Sequence, residues 1–205
     1  MKEEYKVVRN LIDAPLTNFL YEYFLLKRRV SNTFSEHPIL SKYSAYVNNN
    51  EGDTQVKNAF SLYGDPAFEV LMCLAIDVMK EETQEDLIPT YSYARIYNHG
   101  DELKPHIDRR HCEYSTTVNL YSDIDWPIYM NETPINLASG DMCIYKGNEV
   151  VHYRLPFEGN VCAQVFLHYV SLSKFNNRDR EKYLWEGRPH AGLPKIYAWE
   201  AQDKT

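Results

Sequence analysis

The sequence predicts an α+β, mainly β protein with helices in its N-terminal part and a β-barrel or sandwich core. The chain has 205 residues, of which 44% are hydrophobic and 25% charged, as is typical of one globular domain. Apolar positions recur at helical spacing up to residue 88, and short runs rich in Tyr, Val, Thr and Ile follow, separated by turn residues. We expect mainly helical support in residues 1–88, a β core in residues 89–172 and an irregular tail in residues 173–205.

The charge and the absence of long apolar runs narrow the functional class. Lys and Arg number 22 and Asp and Glu number 29, which gives a formal net charge of −7. This charge disfavours a nucleic-acid partner, because binding to a phosphate backbone needs clustered positive charge. No run reaches the ~18–20 apolar residues of a membrane helix, and the acidic N-terminal segment does not resemble a secretory signal. We therefore expect neither a membrane span nor a secretory leader.

The cysteines are spread along the chain without close pairs. A zinc ribbon or a thioredoxin-like site would need two cysteines near each other in sequence. We therefore expect free thiols in a reducing cytoplasm at the four positions Cys73, Cys112, Cys143 and Cys162.

Two helices are predicted in the N-terminal part. Asp13 can cap the first, with Pro15 in its first turn, and the basic residues 27–29 suit the negative end of its macrodipole. Asp65 can cap the second, with Pro66 as its first residue, and the acidic run KEETQED ends it. The intervening Asn-rich stretch, residues 43–60, predicts an exposed loop or hairpin.

The strand-like runs justify the β core. Several short strands at such spacing are typical of a barrel or sandwich. In chain order the runs are TYSYARIYN, PHID, STTVNLYS, PIYM, DMCIYK, EVVHYRL and VCAQVFLHYVSL. After them, the charged, Gly- and Pro-containing tail predicts irregular structure with one short helix.

Three residues in these runs suit a metal centre. Residues i and i+2 of a strand point to the same face, so His106 and Asp108 can aim at one point. His152 lies in a later run that a barrel can bring alongside. Two neutral imidazoles and one carboxylate suit non-haem Fe(II), with the opposite face left open for a cosubstrate and O₂.

The order of the motifs resembles the Fe(II)/2-oxoglutarate-dependent oxygenases, in particular their prolyl-hydroxylase-like branch. The resemblance covers about two-fifths of the chain and rests on Tyr97, Gly100, His106, Asp108, Gly140, Asp141, His152, Pro156 and Gly159. It implies a double-stranded β-helix (jelly-roll) core, with the N-terminal helices packed on its major sheet. It also implies that His106, Asp108 and His152 ligate iron and are the catalytic centre.

The same resemblance implies a dioxygenase that consumes 2-oxoglutarate and O₂ and releases succinate and CO₂. The leading substrate is a peptide, with proline as the first candidate residue. A small molecule stays open as the alternative substrate, and the oligomeric state is not predicted.

One position departs from the family's pattern. The family usually places Lys or Arg about ten residues after the distal His to bind the far carboxylate of 2-oxoglutarate, whereas this chain has Cys162 there. A buried carboxylate needs a cationic partner. Arg154 is the preferred substitute, because it lies two residues after His152 and its planar fork suits a carboxylate. Arg95 is the second choice, and Tyr97 and Asn119 are expected to supply further contacts.

Other polar residues receive structural interpretations. The run of residues 109–111 is read first as a solvated charged segment. We expect His99 and His168 to be structural. We also expect Gln164 to face away from the iron, because successive residues of a strand point to opposite faces and Ala163 is expected to face the iron.

Two other functional classes remain open. A non-catalytic jelly-roll module that binds a metal or ligand would explain the missing base at Cys162. A cupin-like metalloenzyme that works without 2-oxoglutarate is disfavoured, because cupins usually use more histidine ligands.

Overall fold

The computed structural model describes residues 4–37, 39–40, 50–51, 53–174 and 177–193. These residues contain the helices α1 Ala14–Glu36, α2 Pro66–Leu74, α3 Ile76–Thr83 and α4 Asn177–Tyr183. The strands are β1 Tyr5–Val8, β2 Asn50–Glu51, β3 Phe60–Tyr63, β4 Leu87–Asn98, β5 Leu103–His106, β6 Tyr114–Ser122, β7 Ile128–Met130, β8 Thr133–Ile135, β9 Met142–Tyr145, β10 His152–Arg154 and β11 Val161–Ser171. No helix in this part of the chain has the length and apolar character needed to cross a membrane.

The strands form two antiparallel sheets that face each other. The major sheet has the strand order β1-β9-β6-β11-β4-β3-β2, and the minor sheet has the order β5-β10-β7-β8. Ile128 and Met130 of β7 pack against Cys143 and Tyr145 of β9, so the sheets share an interior. The α+β, mainly β class predicted from the sequence is confirmed.

Each of the seven predicted strand-like runs overlaps an observed strand, and four further strands lie outside these runs. β1 pairs with β9, β2 pairs with β3, β3 pairs with β4, and β8 pairs with β7. The run PHID differs in extent, because β5 ends at His106 and leaves Asp108 in the following turn. The two residues therefore do not share a strand face, and the geometric reason given for their convergence is wrong.

The helices begin where their caps predict. The Asp13 carboxylate accepts from the Leu16 N–H at 3.0 Å, and the Asp65 carboxylate accepts from the Ala67 N–H at 3.0 Å. The first helix continues to Glu36, so the basic residues 27–29 lie in its middle and not at its C-terminal end. The second predicted helix is divided at Ala75 into α2 and α3.

Residues 43–60 only partly match the expected exposed loop or hairpin. Residues 43–49 and 52 lie outside the described part of the chain, and β2 pairs with β3 in the antiparallel direction expected of a hairpin. However, Val56, Ala59 and Phe60 are buried. Their contacts with the barrel make the end of this stretch part of the core.

The described part of the tail contains α4 and short 3-10 turns. Arg188 anchors it by a buried ion pair with Glu69 of α2. This contact places the segment around residues 184–188 beside the barrel.

Alternation divides the central strands of the major sheet into two faces. The outward side chains of β4 and β11 are mostly apolar and join the core that includes α1 and α2, with Ala94, Ile96, Ala163, Val165 and Leu167. The inward side chains are aromatic, polar or charged, with Tyr91, Tyr93, Arg95, Tyr97, Cys162, Gln164, Phe166 and His168. This inward face forms one wall of the barrel interior.

Candidate metal centre

The fold brings together the three residues predicted as metal ligands. His106 ends β5, and His152 begins β10 directly opposite it in the minor sheet. Asp108 lies in the turn after β5, where its N–H donates to the Gly147 carbonyl at 2.7 Å. A metal-ligating atom of each residue lies within 4.8 Å of the others. Their role as iron ligands stays a prediction.

Backbone contacts orient both imidazoles. Nδ1 of His106 lies 2.8 Å from the Lys104 carbonyl, and Nδ1 of His152 lies 3.0 Å from the Val150 carbonyl. Because a carbonyl only accepts hydrogen bonds, each ring is assigned its proton on Nδ1 and a free lone pair on Nε2. Such contacts commonly fix the tautomer of a metal-ligating histidine.

The free atoms of the three side chains converge. The two Nε2 atoms lie 3.7 Å (His106) and 3.5 Å (His152) from Oδ1 of Asp108. With both Nδ1 atoms protonated in neutral rings, this arrangement places three lone-pair atoms together without a proton between them. Two imidazole nitrogens and one carboxylate oxygen form the ligand set that suits non-haem Fe(II), so the residues present fit this metal.

Further polar groups surround Asp108. Its Oδ2 accepts from the Ser115 hydroxyl at 2.7 Å, and that hydroxyl lies 3.0 Å from Nδ1 of His168. Burial alone would raise the pKa of the Asp108 carboxyl, but His152, His168 and Ser115 hold it below its usual value. Burial lowers the pKa of His168 to about 4, which keeps that ring neutral at pH 7.

A cavity of about 420 Å³ opens onto the three residues. Aromatic side chains form much of its wall, and the ring of Tyr145 lies 4.7 Å from that of His152. A second groove of about 400 Å³ runs beside it between residues 54–57 and 100–106. The two spaces are neighbours, because Gln55 and His106 line both.

Arg95 lines the larger cavity, but its charge is paired. Its guanidinium contacts the Asp53 carboxylate and donates to the Tyr97 hydroxyl at 3.1 Å. Asp53 also accepts from the Tyr93 hydroxyl at 2.6 Å and is only partly exposed. Arg95 therefore ties the segment around Asp53 to the barrel.

Arg154 is buried on β10. Like His152, it points inward, whereas Tyr153 between them stacks on Tyr129. One Nη donates to the Trp126 carbonyl, and Nε has no hydrogen-bond partner within the described ranges. Among the residues that the structure describes, no carboxylate pairs with Arg154.

The surroundings of Arg154 are polar. It borders a separate cavity of about 100 Å³ together with Asn119 and Gln164. Asn119 donates to the Leu137 carbonyl at 2.7 Å and accepts from Gln164 at 2.8 Å, so its amide is already engaged. Cys162 is buried nearby, 3.1 Å from the Gln164 amide nitrogen.

Two interpretations from the sequence need correction. Gln164 faces the interior and not away from it, because Cys162, and not Ala163, is the inward residue of β11. His168, which we expected to be structural, lines the metal cavity. Arg109 also lines that cavity, stacks on Tyr91 at 4.6 Å and pairs with Glu186, so it is not simply a solvated charge.

Ser115 is a candidate functional residue that was not predicted from the sequence. The available signal was alternation along β6, which puts it on the same face as Thr117 and Asn119. No sequence pattern shows that this face reaches Asp108.

Comparisons with known proteins support the fold. No protein-family model and no curated protein matches the chain. It is similar to the crystal structure of a prolyl-4-hydroxylase from Pseudomonas putida, with a TM-score of 0.58 and 14% identity over 83% of this chain and 94% of that one. It is also similar to a prolyl hydroxylase from Trichoplax adhaerens in complex with a hypoxia inducible factor peptide fragment, with a TM-score of 0.60 and 12% identity over 84% and 86% of the two chains.

A third similar structure is HygX from Streptomyces hygroscopicus with nickel and 2-oxoglutarate bound. Its TM-score is 0.56, with 12% identity over 82% of this chain and 83% of that one. These likenesses confirm the predicted jelly-roll fold of the 2-oxoglutarate/Fe(II) oxygenases.

Proposed function

We propose that the protein is an Fe(II)- and 2-oxoglutarate-dependent dioxygenase that hydroxylates a peptidyl substrate and releases succinate and CO₂. The observation that carries this proposal is the convergence of Nε2 of His106, Nε2 of His152 and Oδ1 of Asp108 on one point inside a jelly roll. Bound iron would supply the oxygen chemistry, and the chain would supply its placement and a partly closed cavity. Rigid backbone contacts behind both imidazoles support such placement.

Arg154 is the proposed partner of the far carboxylate of 2-oxoglutarate. A buried guanidinium without a carboxylate leaves a charge uncompensated, which is costly unless a ligand provides the anion. Arg95 already has Asp53 as its anion, which makes it the second choice. The Tyr97 hydroxyl accepts from Arg95 and keeps its own proton for an oxygen of the cosubstrate.

The shape of the cavity favours a peptide over a small molecule. A small molecule needs only the 420 Å³ cavity, whereas the adjoining 400 Å³ groove gives room for chain on one side of a reacting residue. Charged side chains of both signs, including Lys57, Glu102 and Lys104, line this groove and suit a polar polypeptide. Two of the similar structures are prolyl hydroxylases, so proline is the first residue to test. A cytoplasmic location stays a prediction from the sequence.

An anaerobic titration tests the metal and cosubstrate site. Metal-free protein receives Fe(II) and then 2-oxoglutarate, and the visible charge-transfer band of a chelated keto acid is recorded. We expect the band in the wild type, its loss in His152→Ala, and its retention in His99→Ala, a matched control at an exposed histidine. Wild-type protein that binds Fe(II) without giving the band would support a non-catalytic binding module instead.

A turnover assay tests the substrate class. Succinate formation from 2-oxoglutarate is measured with proline-containing peptides and with free amino acids. Stimulation by peptides alone, with a mass gain of one oxygen in the peptide, is the expected result. Stimulation by free amino acids alone would overturn the peptidyl assignment and leave the metal site intact.

A further inference from the structure

The carboxylate of Asp108 is held from the side opposite the two imidazoles. Ser115 of β6 contacts its Oδ2, while Oδ1 faces His106 and His152. The Ser115 hydroxyl lies 2.7 Å from Oδ2 of Asp108, 3.0 Å from Nδ1 of His168 and 3.2 Å from the Cys112 carbonyl. The two oxygens of one carboxylate therefore have different surroundings.

The single proton of the hydroxyl decides the direction of this chain of hydrogen bonds. The carboxylate is the strongest of the three possible acceptors and also the nearest, so Ser115 donates to Asp108. Nδ1 of His168 then has to be the protonated nitrogen that donates to the Ser115 oxygen. The resulting order runs from His168 through Ser115 to Oδ2 of Asp108, and each bond polarises the next.

The surrounding chain leaves little freedom for this arrangement. A Cβ on Gly147 would clash with both Ser115 Oγ and Asp108 Oδ2, so only glycine allows the segment to approach so closely. The His168 ring is buried and lies 4.5 Å from the ring of Tyr91. The serine and the histidine are therefore fixed before any metal binds.

We propose that Ser115 and His168 are positioning residues that keep Asp108 a one-oxygen metal ligand. The hydroxyl contact turns Oδ2 towards Ser115 and leaves Oδ1 as the oxygen that faces His106 and His152. Without the hydroxyl, Asp108 could turn or offer both oxygens, and a second oxygen would take a position that the keto acid needs. This proposal rests on the proposed iron and 2-oxoglutarate site.

The Ser115→Ala variant tests the proposal in the same anaerobic titration. We expect Fe(II) binding to weaken about tenfold, as is typical when a partner of a metal ligand is removed. At saturating Fe(II), the keto-acid band should also require more 2-oxoglutarate than in the wild type. Ser92→Ala is the matched control, because it removes a buried serine hydroxyl that has no partner among the described residues. Wild-type affinities for both ligands in Ser115→Ala would overturn the proposal.

Variants of His168 test the same chain from its other end, and they serve if Ser115→Ala fails to fold. His168→Asn keeps a donor near the position of Nδ1, whereas His168→Leu removes it. We expect His168→Asn to bind Fe(II) and 2-oxoglutarate more tightly than His168→Leu, at equal thermal stability. Equal binding by the two variants would contradict a positioning role. If wild-type protein itself gives no His152-dependent band, the proposed function fails first, and this result is separate from any effect at Ser115 or His168.

Discussion

The two faces of the major sheet differ in chemistry, although the same strands form both. Towards the helices, β4 and β11 present small and branched apolar side chains that pack against Phe24 and Phe68. Towards the minor sheet, they present aromatic rings and the polar or charged groups Arg95, Gln164 and His168. Both faces are buried, so exposure to water does not explain the difference.

The difference separates folding from function. Apolar burial on the helix side stabilises the fold in proportion to the area removed from water. Polar burial on the inner side stabilises only where partners are present, as between Thr117 and Gln164 at 2.9 Å. Arg154, on the facing minor sheet, has no carboxylate partner in the part of the chain that the structure describes. We infer that the polar and charged side chains of the interior lower the stability of the fold and serve to bind ligands.

Truncation on the helix side should give the largest effect on stability. Leu167 is fully buried in the outer core, and Leu167→Ala should lower the free energy of unfolding by about 2–5 kcal/mol. Chemical denaturation measures this change. Fe(II) binding below the unfolding transition should stay at its wild-type value, because Leu167 points away from the metal cavity. Weaker Fe(II) binding by the folded variant would contradict the separation of the two faces.

Removal of the Arg154 charge should weaken ligand binding without a loss of stability, which is the reverse of the effect expected for Leu167→Ala. Arg154→Met should weaken 2-oxoglutarate binding by about 2 kcal/mol, or about thirtyfold, through loss of a charge-assisted hydrogen bond. Its stability should equal or exceed that of the wild type, because a buried charge without a partner is removed. Band titrations at saturating Fe(II) and denaturant unfolding measure the two quantities.

Arg95→Met is the matched comparison for this prediction. It should cost about 1–3 kcal/mol of stability, because it leaves Asp53 without its cation, and it should change 2-oxoglutarate affinity much less. A larger loss of 2-oxoglutarate affinity in Arg95→Met than in Arg154→Met would assign the carboxylate to Arg95.

Much of the fold was predictable because strands and caps are local patterns. The seven runs contain strands, and Asp13 and Asp65 cap their helices as predicted. The sequence did not show which residues of β11 face the barrel interior. The strand is buried on both faces, so its pattern of side chains does not distinguish them, and a shift of one residue exchanges the two faces. Short strands such as β1 depend on distant partners and have little local signal.

The candidate site was predictable in its residues but not in its geometry. His106, Asp108 and His152 were found from the order of motifs, whereas Asp108 is placed by a turn against Gly147 and not by a strand. Contacts between residues that are far apart in the sequence, such as that between Arg109 and Glu186, cannot be predicted from a local sequence pattern. The proposed roles of Ser115 and His168 rest on distances between atoms of Asp108, Ser115 and His168, which the sequence does not give.

The smallest predicted effect concerns a polar group on the apolar face. Ser92 is buried on the helix side of β4, and its hydroxyl has no partner among the described residues. Ser115, on the inner face of β6, lies within hydrogen-bond distance of Asp108, His168 and the Cys112 carbonyl. Since an unpaired buried hydroxyl is unfavourable, Ser92→Ala should leave stability unchanged or raise it by up to about 1 kcal/mol. Thermal and denaturant unfolding measure the change. A loss of stability above about 1 kcal/mol would show that the Ser92 hydroxyl stabilises the fold. Polar groups on the helix side of the major sheet would then depend on hydrogen-bond partners, as those in the barrel interior do.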